Sequence, residues 1–143
     1  FIGRSDRNRK KMTVFNDENH KSKKAITHWR VLEKNDENNI TLIECNLETG
    51  RTHQIRVHLD HISHPVLGDP LYGHGFKTRV NKLESTVKIL VEKHGNTQAL
   101  HAYKLGFEHP ITNKNLIFET DPPETMKKII ESFNKNSLHK LRK

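Results

Sequence analysis

Polar side chains that could take part in chemistry are concentrated in residues 49–72. The segment contains arginine, glutamine and histidine at short spacing: Arg51, His53, Gln54, Arg56, His58, His61 and His64. His58 and His61 would share one face of a helix, where two imidazoles could bind one metal ion. The third ligand would be His53 or His64. The spacing is not that of a His-Glu-x-x-His motif, and solvated or core-edge histidines explain it better, so we expect no metal.

Other common catalytic motifs are missing from the sequence. Gly73-His74-Gly75 lacks the third glycine and the preceding strand of a dinucleotide site, and there is no Walker phosphate-binding sequence. No serine lies in a Gly-x-Ser-x-Gly turn. Cys45 falls within a predicted strand, where it is most simply a small buried core residue. Acyl transfer by a serine or cysteine nucleophile is therefore not expected.

The elements that would position these side chains follow from periodicity and from end signals. Alternating apolar and polar residues predict a hairpin of strands over 25–33 and 40–47, and a second hairpin over 98–107 and 116–119. The basic stretch over 1–24 is expected to form a loop or an edge strand.

Three helices are predicted around these hairpins. The first covers residues 53–62, with Thr52 as N-cap and His64-Pro65 ending it. A second, expected to be peripheral, covers residues 82–94. The last begins with Asp121 as N-cap and Pro122 at the first helical position, and it should cover the sheet and leave a basic tail from Lys135.

Composition limits the class of protein. The 143 residues include 25 Lys+Arg against 17 Asp+Glu, a net charge of +8, and only 32% are hydrophobic. This balance favours a folded domain with a thin core and a polyanionic partner. No apolar run exceeds three residues, which argues against a membrane span or a signal peptide. The single cysteine cannot form an internal disulfide, so we expect a soluble protein of the reducing cytoplasm.

Two neighbouring blocks of sequence resemble a known signature. Residues 47–59 read Leu-Glu-Thr-Gly-Arg-Thr-His-Gln-Ile-Arg-Val-His-Leu, and residues 64–73 read His-Pro-Val-Leu-Gly-Asp-Pro-Leu-Tyr-Gly. They are similar to the signature block of the RluA-type pseudouridine synthases. The resemblance continues in order through most of the chain, in residues 4–12, 24–29, 99–102 and 107–110. Within the family the chain is most similar to the D type, which acts on large-subunit ribosomal RNA, partly because of residues 61–65.

This resemblance implies the isomerisation of uridine to pseudouridine, without cofactor or metal. The family uses an aspartate nucleophile in an Arg-Leu-Asp motif and a downstream tyrosine that stacks on the base. None of the aspartates of this chain follows Arg-Leu. We therefore expect residues 1–143 to be the C-terminal portion of a pseudouridine synthase catalytic domain, inactive alone. The expected partner is ribosomal RNA, with no membrane and a monomeric full enzyme.

The resemblance also assigns one catalytic position, Arg56, which matches the arginine that pairs with the nucleophilic aspartate. Desolvation beside an extruded base would drive that carboxylate toward protonation, and a guanidinium opposes this while orienting the carboxylate. The structural alternative is that Arg56 only ties its helix to a neighbouring loop.

Two further groups of residues are candidates for contact with substrate. Arg51, His53 and Gln54 would support the active-site loop or contact RNA, or else cap and pack the helix. The N-terminal cations would neutralise phosphates, or else form a solvated loop. They are Arg4, Arg7, Arg9, Lys10 and Lys11.

The expected fold is therefore mixed α+β, in which a mainly antiparallel sheet packs against helices. Its function is that of a ribosomal RNA pseudouridine synthase whose nucleophile lies outside these residues. The alternative is a non-catalytic RNA-binding module on the same scaffold.

Overall fold

The computed structural model describes residues 1–133 and confirms the mixed α+β class. Helices and strands alternate irregularly along this part of the chain. In chain order they are β1 (Ile2–Arg4), β2 (Met12–Val14), β3 (Ser22–Lys23), β4 (Thr27–Asn35), β5 (Ile40–Leu47), α1 (Gln54–His61), α2 (Phe76–Val80), α3 (Ser85–His94), β6 (Lys104–Glu108), β7 (Asn115–Glu119) and α4 (Glu124–Glu131). The basic tail expected from Lys135 lies outside the described residues.

The strands of the described part form three separate antiparallel sheets, so the single central sheet expected from the sequence is not found there. In the first sheet β1 pairs with β2 on one side and β3 on the other. The stretch over 1–24 is thus neither a loop nor one edge strand. Ile2 in the central strand is 2% exposed, which explains why so basic a stretch still folds against the core.

Both predicted hairpins are present, but the strand predicted over 98–107 is shorter and covers only Lys104–Glu108. β4 pairs with β5 along its length, with a shift of register between Val31 and Glu33, and β6 pairs with β7. In β6–β7 the pairs Leu105↔Phe118 and Phe107↔Leu116 lie on the same face, where the two phenylalanine rings stack with centroids 5.9 Å apart. Phe118 is 55% exposed and Trp29 of β4 is also 55% exposed, so neither hairpin face is covered by the described residues.

The predicted helices form, but each begins later than expected. His53, not Thr52, is the N-cap of α1. Glu84 caps α3, because its carboxylate accepts hydrogen bonds from the N–H groups of Thr86 and Val87. Pro123 rather than Asp121 is the N-cap of α4. Pro123 itself has an extended backbone, with φ −54° and ψ 148°, so the helix starts only at Glu124. The residue before a proline is disfavoured in helical geometry, which also keeps the helix from starting at Pro122.

The helices build a core that the sequence did not predict. Val87 and Val91 of α3 are buried against Val80 and against Ile129 of α4. The second predicted helix is therefore central rather than peripheral, and α4 packs on α3 rather than covering a sheet.

A second core cluster lies beneath the candidate site. Ile2, Val57 of α1 and Tyr72 are buried together, with Met12 and Leu71 packed against them. This cluster fixes α1 against the first sheet. Cys45 is only half-buried, so the prediction of a buried core cysteine is wrong. Among residues 1–133, no helix is long and apolar enough to cross a membrane.

Candidate active site

The start of α1 has a left-handed residue, His53, and is stabilised by the buried side-chain amide of Gln54. His53 has φ 56°, a left-handed conformation that is uncommon outside glycine, and its carbonyl accepts the hydrogen bond of Val57 N–H. Gln54 is 3% exposed. Its Oε1 accepts from Arg51 N–H and Thr49 Oγ1, and its Nε2 donates to the carbonyl of Ile26. The amide therefore joins the turn before α1 to the segment leading into β4, and no side chain caps the start of α1, so the predicted Thr52 cap is wrong.

Arg56, one turn into α1, forms a bidentate ion pair with Asp69. Nε donates to Oδ2 and Nη2 to Oδ1, each at 2.7 Å. The Asp69 side chain is completely inaccessible, and that of Arg56 is 12% exposed. Removing either partner would leave a buried, uncompensated charge, at a cost of about 3–5 kcal/mol. Arg56 therefore does tie its helix to a loop of this chain, as the structural alternative states, while its pairing with a nucleophile stays a prediction.

The carboxylate of Asp69 is ionised despite its burial. Burial by itself would raise the pKa of Asp69, but hydrogen bonds from Arg56 and from the N–H groups of Tyr72 and Leu71 outweigh it, and the pKa lies below its ordinary value. The same pairing raises the pKa of Arg56. The site thus holds a permanent guanidinium whose orientation is set by a fixed negative charge.

Tyr72 connects this ion pair to the first sheet. Its ring is 2% exposed, and the guanidinium carbon of Arg56 lies 5.0 Å from the ring centroid. Its hydroxyl oxygen accepts from Met12 N–H at 2.8 Å and lies 3.1 Å from His53 Nδ1. Lys11 Nζ lies 5.4 Å from the same ring centroid. One tyrosine therefore fixes β2, the start of α1 and one face of the guanidinium.

His53 is neutral near pH 7. Burial lowers its pKa, and the positive charges of Arg56 and Arg4 lower it further, against a smaller opposing effect of Asp69. The basic N-terminal segment reaches this site through β2, which packs against α1, and through Lys11, which lies over the ring of Tyr72. The candidate catalytic residue and the basic N-terminal segment therefore belong to one surface region.

A basic cleft opens at the end of β1. It has a volume of about 320 Å³ and is lined by Arg4, Ser5, Asp6, Arg9 and Lys21. Arg4 Nη1 donates to the carbonyl of Arg9, and Lys21 Nζ lies 3.1 Å from Asp6 Oδ1. Three cations against one carboxylate leave the cleft with a net positive charge, which favours an anion.

Two of the remaining histidines of the cluster have protein partners, and the third, His61, is exposed. His58 Nδ1 lies 2.9 Å from Thr27 Oγ1, and His64 Nδ1 lies 2.7 Å from the carbonyl of Ile62. Within the part of the chain that the structure describes, no group of three His, Cys, Asp or Glu side chains could hold a metal ion.

The structure thus divides the predicted site residues. His53, Arg56 and Lys11 meet around Tyr72, and Arg4 and Arg9 meet in the cleft. Arg51 instead donates from Nε to the carbonyl of Lys24, and Gln54 faces the start of β4. Arg7 and Lys10 are exposed on the loop between β1 and β2.

Sequence reasoning missed three residues of this region, namely Asp69, Tyr72 and Lys21. Asp69 stands in the second block of the signature, and a lone acid in a Gly-Asp-Pro sequence beside a basic helix is the signal that could have identified it.

Comparison with known proteins finds similarity to RNA pseudouridine synthases. A family model described as RNA pseudouridylate synthase matches residues 3–61, which include β1, the basic loop and α1. An RNA pseudouridine synthase of Bacillus subtilis, YlyB, described as uncharacterized, is 44% identical over 135 residues, 94% of this chain and 38% of the relative. The ribosomal large subunit pseudouridine synthase D of Zymomonas mobilis is 43% identical over 125 residues, 87% of this chain and 36% of the relative.

A third relative gives the same result. The ribosomal large subunit pseudouridine synthase D of Neisseria meningitidis serogroup A is 45% identical over 123 residues, 86% of this chain and 30% of the relative. The chain thus spans between 30% and 38% of the length of these three relatives. On these comparisons, the chain is similar over most of its length to RNA pseudouridine synthases, among them ribosomal large subunit pseudouridine synthases D.

Proposed function

We propose that this chain supplies part of the active site of an enzyme that converts uridine to pseudouridine in large-subunit ribosomal RNA. The observation that carries the proposal is Arg56, a guanidinium held on one edge by buried Asp69 and still 12% exposed. The names of the relatives support the substrate class. The proposed reaction uses no cofactor or metal. The cytoplasmic location and the monomeric state of the full enzyme stay predictions.

In this proposal Arg56 pairs with the aspartate nucleophile. Residues 1–143 contain no Arg-Leu-Asp segment, so we place the nucleophile elsewhere in the catalytic domain and take this chain as its C-terminal portion, inactive alone. Beside an extruded base, a carboxylate loses hydration and its pKa rises. A guanidinium already fixed by the protein keeps the carboxylate ionised and oriented, and it needs no reorganisation as the reaction proceeds.

The target uridine must leave its stack to reach the nucleophile, so the enzyme must hold the flanking backbone. The basic cleft at the end of β1 supports this role, since β1 pairs with β2 and β2 packs against α1. We propose that Arg4, Arg9 and Lys21 neutralise phosphates flanking the extruded base. Arg7, Lys10 and Lys11 extend the same positive surface along the loop.

The second candidate is a non-catalytic RNA-binding module on the same scaffold. The observation that favours it is that Arg56 already has a partner, Asp69, and so has a structural role without any nucleophile. An RNA-binding module needs the cleft but not the exposed part of Arg56.

Incubating the full gene product that carries this chain with unmodified large-subunit ribosomal RNA separates the two candidates. Pseudouridine formation, detected by mass spectrometry after nuclease digestion, supports the enzyme. Saturable RNA binding without any pseudouridine contradicts the enzyme and supports the binding module. A matched RNA whose uridines are replaced by cytidine controls for unspecific signal.

A further inference from the structure

We propose that Asp69 is a positioning residue for the pseudouridine synthase reaction, which acts by holding Arg56 so that one edge of the guanidinium faces the nucleophile. The inference rests on the proposed function and assigns a role to a residue that neither the signature nor the relatives' names specify. It starts from the buried pair, in which Nε and Nη2 of Arg56 both donate to Asp69.

The position of the Asp69 carboxylate is set by its own loop. Oδ1 accepts from Leu71 N–H at 2.9 Å and from Tyr72 N–H at 3.0 Å, in addition to Arg56. The Asp69 carbonyl accepts from Gly73 N–H at 3.0 Å, and a Cβ at Gly73 would lie 2.3 Å from that carbonyl oxygen. The turn therefore closes only around glycine. A carboxylate fixed by backbone N–H groups is a rigid reference point for a long, flexible arginine side chain.

Asp69 and Tyr72 leave one direction open for a second anion. The edge formed by Nε and Nη2 is occupied by Asp69, and the ring of Tyr72 lies 5.0 Å from the guanidinium carbon on one face. Nη1 lies outside the pair with Asp69. A planar guanidinium can bind carboxylates on two separate edges, whereas an ammonium group has no such edges. In this proposal the edge that carries Nη1 receives the acidic group delivered from elsewhere in the catalytic domain.

A double-mutant cycle in the full gene product tests this role. Asp69→Asn keeps an oxygen for the Leu71 and Tyr72 N–H groups but loses the charge pair. We expect kcat on unmodified ribosomal RNA to fall about tenfold or more with KM changed less than about threefold, because an interaction made in the transition state is lost. In an Arg56→Ala background, Asp69→Asn should cause no further loss. The matched control is Asp36→Asn, an exposed acid in the turn between β4 and β5.

Two results would overturn the inference while leaving the proposed function intact. One is that Asp69→Asn lowers kcat in the Arg56→Ala background by the same factor as in the wild type. The other is that Asp69→Asn alone has the wild-type kcat. Absence of pseudouridine from the wild type would overturn the proposed function and the inference with it. If Asp69→Asn does not fold, the kcat of Arg56→Lys is measured instead. Lysine keeps the charge but cannot bind two carboxylates on separate edges, so its kcat should approach that of Arg56→Ala. A wild-type kcat in Arg56→Lys overturns the inference.

Discussion

Replacing Tyr72 by phenylalanine tests how the site is attached to the first sheet. The substitution keeps the buried ring and its contact with the guanidinium of Arg56, and it removes only the hydroxyl. That hydroxyl accepts from Met12 N–H at 2.8 Å and lies 3.1 Å from His53 Nδ1. The change therefore isolates two polar contacts that join β2 and the start of α1.

The expected loss follows from the environment of each partner. Met12 N–H is partly buried and would be left without its acceptor, which costs about 1–3 kcal/mol. His53 is half-buried and can exchange its lost contact for water, so it adds little. We therefore expect the free energy of unfolding to fall by about 1–3 kcal/mol, equivalent to a shift of the urea midpoint by about 1 M for a typical m-value.

Urea unfolding of the full gene product, followed by circular dichroism, measures this loss. The sequence contains two tyrosines, and the other provides a matched control. Tyr103 donates its hydroxyl proton to Glu44 Oε1 on an exposed surface, where water replaces the lost contact, so Tyr103→Phe should have much the smaller effect. Equal midpoints for Tyr72→Phe and Tyr103→Phe would show that the hydroxyl of Tyr72 does not hold β2 to α1.

Three further predictions concern the backbone, pH and salt. Gly68→Ala should lower the unfolding free energy by roughly 2 kcal/mol or more, because φ is +73° and the new Cβ would lie 2.2 Å from a backbone oxygen. The control is Gly50→Ala, whose Cβ meets no atom within 4 Å, and equal urea midpoints for the two variants would contradict the prediction. The pKa values of His53 and His58 are lowered, mainly by burial, so the unfolded chain binds protons first. The stabilising contribution of the two neutral histidines should therefore be complete above the unfolded pKa of about 6.5 and be lost as the pH falls through their lower pKa values in the folded protein. Urea denaturation at a series of pH values should show that the unfolding free energy of the double variant His53→Asn/His58→Gln depends less on pH than that of the wild type. Arg9→Ala should reduce the slope of log Kobs for RNA against log salt by about 0.7–0.9, and an unchanged slope in a titration would argue against a phosphate contact.

The elements with strong local signals were predictable from the sequence. Both hairpins follow from strict alternation, and α1 follows from its end signals, since His64-Pro65 stops it close to where the structure does. Errors of a few residues occur where a cap depends on one side chain. The carboxylate of Glu84, for example, delays α3, which periodicity alone cannot show.

Features that depend on distant contacts were not predictable. The Arg56–Asp69 pair joins residues on either side of a turn, and the sequence indicates the turn but not that its acid points back to the helix. The three short strands of the first sheet carry too few residues for an alternation pattern, and their pairing depends on Ile2 packing against Val57. Long-range packing, rather than local propensity, decides both features.

The proposed function depends above all on Arg56 acting in the chemical step rather than only in folding or RNA binding. A comparison of wild type with Arg56→Ala in the full gene product decides this, with single-turnover pseudouridine formation and RNA affinity determined on the same unmodified ribosomal RNA. We predict a rate reduced by about a hundredfold or more, with RNA affinity within about threefold of wild type. Equal rates, or a loss of rate matched by an equal loss of RNA affinity, would contradict a role for Arg56 in the chemical step.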